Sequence, residues 1–492
     1  MRQSWLVNGL TVAAGCVAAV VAGYAASRPS VGIAAIALLV VGYLLSRLDG
    51  WQRLFVATLV LLLCSVSHVA SVAQISFYPR YLALGALVAW TFIARGDAPT
   101  AWRRLPAGTR LLLGGLWGCV ALAVVSSAWS ITPVLTLAQS GALALLAGLV
   151  HGLTTRRWTD QRRIGSDLGV AYAVLTIALV AGLGYGFAGG ANAWNYADRF
   201  QGFLANPNML SILCALTIPI AWTVYLRSRK LLHLLGVVPA VITLPMTSSR
   251  TALLAVVAGA CWVIARHGLP TVVRVCCYLG VTGVALQLVG ATHSIVGSHW
   301  AERLSARFTD AEGGDLSNGR RVTWEASMAL WEARPTLGYG YSSGVALFEH
   351  TRQAGFLDIS VNRVHNSYFQ WLLELGLAGA AVLLPVVAGC LWILVRAPLT
   401  GVNPGLIWLI ATGMLIQITE SAMFGTGQPY PYLFWPAVAG VLAASQGPAR
   451  AGTHRARQHR HETRWHVGSD RHRPGPDPDR ERRFSSTGAR SR

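Results

Sequence analysis

The sequence predicts an all-α polytopic membrane protein with about 12–14 transmembrane helices. The chain is 53% hydrophobic and only 12% charged, whereas a soluble domain carries about 25% charged residues. Apolar runs of about 20 residues, the length that crosses a bilayer, recur from end to end. A soluble fold would need many fully buried helices with almost no amphipathic face, so the composition argues against that class.

The apolar runs define the predicted transmembrane segments, with the first run expected to be a retained span and not a cleaved signal peptide. We predict spans near 4–26, 30–46, 54–74, 79–94, 111–128, 134–153, 167–187, 208–226, 231–247, 251–266, 271–292, 367–395, 404–422 and 430–446.

Basic residues indicate the orientation of the chain, whose formal net charge is +20. They are concentrated in alternate turns between spans, with Arg28 and Arg80 as exceptions, and positive charge marks the cytoplasmic side. Both termini are therefore expected in the cytoplasm, in a multi-pass protein of the cytoplasmic (inner or plasma) membrane. The outward turns are then 188–207, 247–250 and 293–366, and together they predict one extracytoplasmic site.

The chain divides into three predicted regions. Residues 1–190 hold the N-terminal transmembrane helices, and residues 191–446 hold a catalytic membrane region that includes the large loop 293–366. Residues 447–492 are rich in Arg, His and Pro and poor in aliphatic residues, which predicts a disordered basic cytoplasmic tail. The tail is interpreted as a solvated segment or as a contact with anionic lipid. Because the basic residues do not form one patch, nucleic acid is not an expected partner.

The first outward turn contains Arg199 and ends at Asn208, where an apolar run begins. Asn208 is predicted to be the N-cap of that helix, whose open N–H groups would form an anion site. The simpler interpretation is a capped helix beside a surface arginine.

The second turn is very short and includes Ser249 and Arg250 between two apolar runs. A charged side chain at the membrane boundary is costly unless it is paired or solvated, so Arg250 is a functional candidate. Snorkelling of the side chain to the interface is the structural alternative.

The third turn is the large loop, in which residues 320–333 are predicted to form an amphipathic helix beginning with Arg320 and Arg321. Arginine suits phosphate because its planar fork donates parallel hydrogen bonds. Gly338 and Gly340 predict a tight turn or a close approach of the backbone to a ligand.

The loop ends at His365 and Asn366, just before an apolar helix that contains Glu374. Histidine suits general-base catalysis near neutral pH. A carboxylate inside an apolar stretch needs a partner, and we expect an arginine for Glu374. No metal site and no cofactor are expected, because the outer carboxylates Glu302, Asp310, Glu312 and Asp315 form no clustered motif.

In this order the motifs resemble the O-antigen ligase and polymerase-like family of bacterial membrane proteins. The matching pieces lie between about residues 199 and 376: Arg199-x-x-Gly202-x-x-x-Asn-Pro-Asn208, Ser249-Arg250-Thr-Ala-Leu-Leu254, Gly319-Arg320-x-x-x-Trp324, Pro335-x-x-Gly338-x-Gly340, His365-Asn366-Ser-Tyr368 and Glu374-x-Gly376. Each piece is weak alone, and the ordered set is specific.

The resemblance implies a GT-C-like, metal-independent glycosyltransferase that works on the outer face of the membrane. The donor would be a glycan on a polyprenyl diphosphate, and the acceptor a glycan or a lipid. By position, Arg250 and Arg320 match the arginines thought to hold the diphosphate, and His365 matches the histidine thought to activate the acceptor hydroxyl. The candidate substrate-binding residues are Arg199, Asn208, Ser249, Arg321, Gly338, Gly340, Asn366 and Glu374.

Two questions stay open at the level of sequence. A ligase, a polymerase and a protein glycosyltransferase differ only in the acceptor, and a ligase or polymerase for surface polysaccharide is the leading interpretation. A polysaccharide-linked or small-anion transporter using the same basic outer cavity is the alternative function. Broken central helices with paired charges would favour transport, and the few charges within the predicted spans disfavour it.

Overall fold

The computed structural model describes residues 46–93, 102–190, 192–195, 198–267, 320–353, 363–397 and 402–446. The predicted spans 4–26 and 271–292, nearly all of 30–46, and the predicted tail 447–492 lie outside the described residues. The same is true of two parts of the large loop, residues 293–319 and 354–362.

The described residues form helices and no strands, apart from two isolated bridges. The α-helices are α1 (Gly50–Ser65), α2 (Ala70–Phe77), α3 (Pro79–Ile93), α4 (Ala107–Val125), α5 (Pro133–Thr155), α6 (Gln161–Phe187), α7 (Pro207–Ser228), α8 (Leu232–Leu235), α9 (Val238–Met246), α10 (Arg250–His267), α11 (Arg320–Ala333), α12 (Gly344–Gln353), α13 (Ser367–Arg396), α14 (Pro404–Ile416) and α15 (Pro431–Ala444). Short 3₁₀ turns occur at Trp102–Arg104, Ser126–Ala128 and Arg157–Thr159. The all-α prediction is confirmed.

Five of the described helical segments are long and apolar enough to cross a membrane. They are Ala107–Ala128, Pro133–Thr159, Arg162–Phe187, Pro207–Ser228 and Ser367–Arg396. Each satisfies the requirement of about 20 apolar residues for a bilayer-spanning helix. A polytopic membrane protein is therefore supported, and the predicted total of spans and their orientation stay predictions.

The predicted span 54–74 is broken in the structure. Helix α1 ends at Ser65, and the next residues bond to a distant segment: Ala205 N donates to Val66 O (2.9 Å), and His68 N donates to Phe203 O (3.1 Å). Backbone groups used in this way cannot continue the α-helical ladder, so a second helix starts at Ala70. The apolar pattern alone gave no sign of this long-range pairing.

The predicted spans 231–247 and 404–422 also differ from the structure. The first is divided into α8 and α9 around Gly236, whose carbonyl accepts from Thr176 Oγ1 (3.2 Å). The second ends at Ile416, six residues early, and continues as turns through Glu420. This early end matters because it frees Glu420 from the helix interior.

Helices α7, α10 and α14 pack against one another in the hydrophobic core. Most of α7 is buried, and the indole of Trp408 in α14 donates to Val256 O in α10 (2.8 Å). Because buried aromatic donors need partners, this bond fixes the pair of helices in register. The segments that follow α14 and precede α7 and α10 are thereby held at one end of the same packed unit.

Candidate active site

The carboxylate of Glu420 is the centre of a polar cluster where several segments of the chain meet. Its Oε1 accepts from Arg320 Nη2 (2.7 Å) and from Asn208 Nδ2 (3.1 Å). Its Oε2 lies 3.2 Å from His365 Nδ1. We call Arg199, Asn208, Arg320, His365 and Glu420 the Glu420 cluster.

Arg199 connects the first two predicted outward turns. Its Nε donates to Thr247 O (2.8 Å), and its Nη2 donates to the side-chain oxygen of Asn208 (2.5 Å). The backbone strengthens the connection, since Phe200 N donates to Met246 O (3.0 Å). The first two predicted outward turns therefore contact each other. That they form one extracytoplasmic site stays a prediction.

Asn208 was expected to cap α7, and that expectation is wrong. The N-cap is Asn206, whose side chain accepts from Asn208 N (2.7 Å), with Pro207 at the first helical position. Proline is well suited to that position because its missing N–H would be unpaired there anyway. The side chain of Asn208 is therefore available to bridge Arg199 and Glu420.

Arg320 brings the large loop to the second turn. It begins α11, and its Nη1 approaches Thr251 Oγ1 at 3.4 Å. Thr251 directly follows Arg250, the first residue of α10, and Ser249 occupies the preceding position. The backbone reverses just before this, with Ser248 in the left-handed region (φ 52°). Arg320 thus lies at the helix N-terminus that Arg250 opens.

Charge in the Glu420 cluster is unevenly balanced. Arg199 and Arg320 supply two guanidinium groups, and Glu420 supplies one carboxylate. The side chains of Arg320 and Glu420 are 18% and 14% exposed, so the ion pair is largely buried but still accessible to solvent. Two guanidinium groups in such a half-buried position favour an anionic ligand.

His365 is held in an unusual backbone conformation (φ 51°) and its side chain is 30% exposed. Its neighbour Asn366 is the N-cap of α13, accepting from Tyr368 N (2.9 Å) and Phe369 N (3.1 Å). On the other side, Trp324 Nε1 donates to Val364 O (3.0 Å). Both flanks of His365 are thus fixed, and the side chain of Asn366 is used for capping.

Arg321 lies outside this cluster. Its Nε pairs with Glu325 Oε1 at 2.7 Å, four residues along α11, and both side chains are largely exposed. Such a surface pair contributes only about 0.3–0.5 kcal/mol. The adjacent arginines of the motif are therefore separated by the helical turn: Arg320 faces the cluster and Arg321 faces away.

Glu374 forms a second, separate cluster. Its side chain is buried, with the residue 1% exposed. The carboxylate accepts from Ser342 N (2.7 Å), Gly344 N (3.2 Å) and Gln370 Nε2 (2.9 Å). The expected arginine partner is replaced by backbone N–H groups, which satisfy a buried carboxylate equally well.

The motif glycines are explained by a close approach of two backbones. Gly376 interrupts α13 with φ 62°, and a Cβ on it would lie 2.4 Å from the Thr336 carbonyl carbon. Gly338 has φ 65°, and its Cβ would lie 2.5 Å from the Glu374 carbonyl carbon. Only glycine fits both positions. Gly340 N also donates to Glu374 O (2.7 Å). The close approach seen in the structure is to α13, and an approach of this backbone to a ligand stays a prediction.

Glu420 is the residue of the candidate site that the sequence analysis missed. It lies in the predicted span 404–422 and belongs to none of the motifs. The signal that singled out Glu374, a carboxylate at the edge of an apolar run, applies equally to Glu420.

A family model described as O-antigen ligase matches residues 235–384 of the chain. Comparison with curated proteins gives no match. The matched residues include Arg250, Arg320 and His365, whereas Arg199 and Asn208 precede them and Glu420 follows them. The match supports a role as a membrane glycosyltransferase in polysaccharide assembly. The family resemblance that the motifs predict is therefore confirmed, and residues 235–384 match an O-antigen ligase domain.

Proposed function

We propose that this protein transfers a glycan from a polyprenyl diphosphate donor to an acceptor hydroxyl during assembly of a surface polysaccharide. The proposed fold is GT-C-like, and the proposed site is the Glu420 cluster with Arg250, on the extracytoplasmic face. One observation carries the proposal: a single carboxylate contacts both a candidate phosphate-binding arginine, Arg320, and a candidate base, His365.

The contact with Glu420 equips His365 to act as a general base. A carboxylate only accepts hydrogen bonds, so the facing Nδ1 of the imidazole carries the proton and Nε2 is left as the basic nitrogen. The negative charge of Glu420 also stabilises the imidazolium that forms when Nε2 takes a proton. This is the arrangement of base and orienting group that nucleophile activation requires.

The arginines supply the complementary half of the chemistry. As the acceptor oxygen bonds to the anomeric carbon, the bond from that carbon to the diphosphate oxygen breaks, and the diphosphate leaves with the electron pair. Arg320 and Arg250, assisted by Arg199, neutralise that developing charge. Fixed guanidinium groups do this without reorganising during the reaction, so the proposed transfer needs no metal ion.

The test is transfer by the purified full-length protein from a defined oligosaccharide on polyprenyl diphosphate. Glycan transfer and released polyprenyl diphosphate are measured together, and we expect equal amounts of both. A transporter would move the intact donor across a vesicle membrane without cleaving it. Vesicle translocation of uncleaved donor, with no released polyprenyl diphosphate, would therefore favour the transporter and refute the proposal.

A further inference from the structure

A cavity of about 430 Å³ adjoins the Glu420 cluster. Its lining includes the immediate chain neighbours of three cluster residues: Met209 follows Asn208, Val364 precedes His365, and Ser421 follows Glu420. A cavity of this size falls within the range of small-molecule sites, about 300–1,000 Å³. The cavity is therefore lined by residues that lie next to the proposed reacting groups in the chain.

Side-chain amides distinguish the lining of this cavity. Gln370 donates its Nε2 to Glu374 (2.9 Å), so its carbonyl oxygen remains as an acceptor. Gln139 accepts from Thr426 Oγ1 (2.9 Å) through its carbonyl oxygen, so its NH₂ group remains as a donor. The amide of Gln428 has no hydrogen-bond partner among the residues that the structure describes. The cavity thus offers both donors and acceptors, of which those of Gln370 and Gln139 are fixed by hydrogen bonds.

One wall of the cavity is aromatic. The Trp371 ring lies 4.8 Å from the Phe424 ring and 5.8 Å from the Tyr341 ring, measured between centroids. The Tyr341 hydroxyl donates to Phe424 O (3.2 Å), and burial raises its pKa well above the usual range, so it stays neutral. Arg363 is the one charged side chain in the described lining.

Another part of the lining is held by Arg80, an exception to the charge pattern of the predicted inward and outward turns. Its Nη1 donates to Ser65 Oγ (2.7 Å) and to Gly427 O (2.9 Å), both residues of the lining. The guanidinium also lies over the rings of Phe77 (4.3 Å) and Tyr81 (4.6 Å). This buried cation joins the end of α1 to the segment after Glu420 within the cavity lining.

We propose that this cavity binds one sugar unit of a glycan substrate, and this inference rests on the proposed glycosyl transfer. A sugar ring carries many neutral hydroxyl groups, each a donor and an acceptor, which the three amides complement. Its flat apolar face matches the aromatic wall. The mostly neutral lining separates this subsite from the arginines that would hold the diphosphate. The unit belongs to the donor glycan or to the acceptor, and kinetics distinguish the two.

Gln428→Leu is the sharpest variant, because it removes an amide that bonds to no other described residue. Losing one or two hydrogen bonds to substrate should raise one Michaelis constant about 3- to 10-fold, with kcat within about twofold of wild type. A raised KM for the donor assigns the sugar to the donor, and a raised KM for the acceptor assigns it to the acceptor. Gln353→Leu, the same change on exposed α12, is the matched control. Two unchanged KM values would overturn the subsite.

A second variant, Ala205→Trp, fills the cavity from a lining residue whose backbone bond to Val66 is kept. Free glucose, galactose, rhamnose and N-acetylglucosamine are the probes, with saturation-transfer NMR on the full chain in nanodiscs. We expect signals for at least one sugar with wild type and their loss with Ala205→Trp. No signal from any sugar would overturn the subsite. If sugars bind normally while wild type transfers nothing, the proposed function has failed and the subsite has not.

Discussion

Two glutamates, Glu420 and Glu374, show how differently this protein uses a carboxylate near an apolar helix. Glu420 is partly exposed and is held by side chains: an arginine, an asparagine and a histidine. Glu374 is buried and is held by two backbone N–H groups and one glutamine. Backbone donors cannot change their charge or move far, whereas the imidazole beside Glu420 can exchange a proton.

The comparison assigns different roles to the two clusters of polar residues. The Glu374 cluster joins the loop at Gly338 and Gly340 to the kink of α13, and it organises the architecture. The Glu420 cluster gathers charged and titratable groups from separate segments, and it is the proposed catalytic centre. Variants of the first cluster should alter stability, and variants of the second should alter transfer.

The largest expected effect is that of His365→Ala. Transfer should fall about 10²- to 10⁴-fold, the usual share of a positioned general base. Donor affinity should persist, because the arginines are proposed to bind the diphosphate. Purified variants are compared by transfer rate and, separately, by donor binding. His350→Ala, an exposed histidine on α12, should behave as wild type. Near-normal turnover of His365→Ala would show that His365 is not the general base.

The neighbouring arginines of α11 provide a matched pair for the next prediction. Arg320→Lys should lower transfer about 10- to 100-fold, because a point charge cannot reproduce the parallel hydrogen bonds of the guanidinium fork. Arg321→Lys should stay within about twofold of wild type, since Arg321 pairs only weakly at the surface. Equal effects of the two substitutions on kcat/KM would contradict the division of roles between them.

Glu374→Gln tests the architectural half of the comparison. The new NH₂ group would face backbone N–H donors, so we expect a loss of about 1–3 kcal/mol of stability. The unfolding midpoint in detergent should fall, while the residual folded protein still catalyses transfer. Glu420→Gln should do the reverse, with a small change in midpoint and a large loss of transfer. An unchanged unfolding midpoint for Glu374→Gln would contradict the structural role assigned to Glu374.

The smallest effect concerns the two asparagines at the start of α7. Asn206→Ala removes the N-cap and should cost about 1 kcal/mol of stability. Asn208→Ala removes the bridge between Arg199 and Glu420 and should lower transfer several-fold with less effect on stability. Thermal unfolding and transfer assays of the two variants, made side by side, show which asparagine caps the helix and which one supports transfer. Identical profiles would restore the sequence-based assignment of Asn208 as the cap.

The long helices could be predicted largely from local pattern, whereas the predicted cap of α7 was two residues away from the observed one. The amphipathic period predicted α11, and the apolar run after Asn366 predicted α13. The break after α1 could not be predicted, because it depends on hydrogen bonds from residues 66–68 to a segment more than 130 residues away. Local pattern cannot carry information about such a partner.

The sequence predicted the arginines and the histidine of the candidate site. It did not predict the carboxylate of Glu420. Arginines in the turns between apolar runs stand out in the sequence, so Arg199, Arg250 and Arg320 were identifiable. Glu420 was hidden because α14 ends earlier than its hydropathy suggests. The expected arginine partner of Glu374 was wrong for a related reason: backbone N–H groups satisfy buried carboxylates and leave no trace in the residue types.

The most direct test of the central claim is an experimental structure of the full chain with a non-transferable polyprenyl diphosphate glycan. We expect the diphosphate to lie within hydrogen-bond distance of both Arg250 and Arg320. We expect His365 Nε2 to lie on the side from which an acceptor hydroxyl reaches the anomeric carbon. A diphosphate bound away from Arg320, or guanidinium groups of Arg250 and Arg320 on opposite sides of the bound donor, would contradict it.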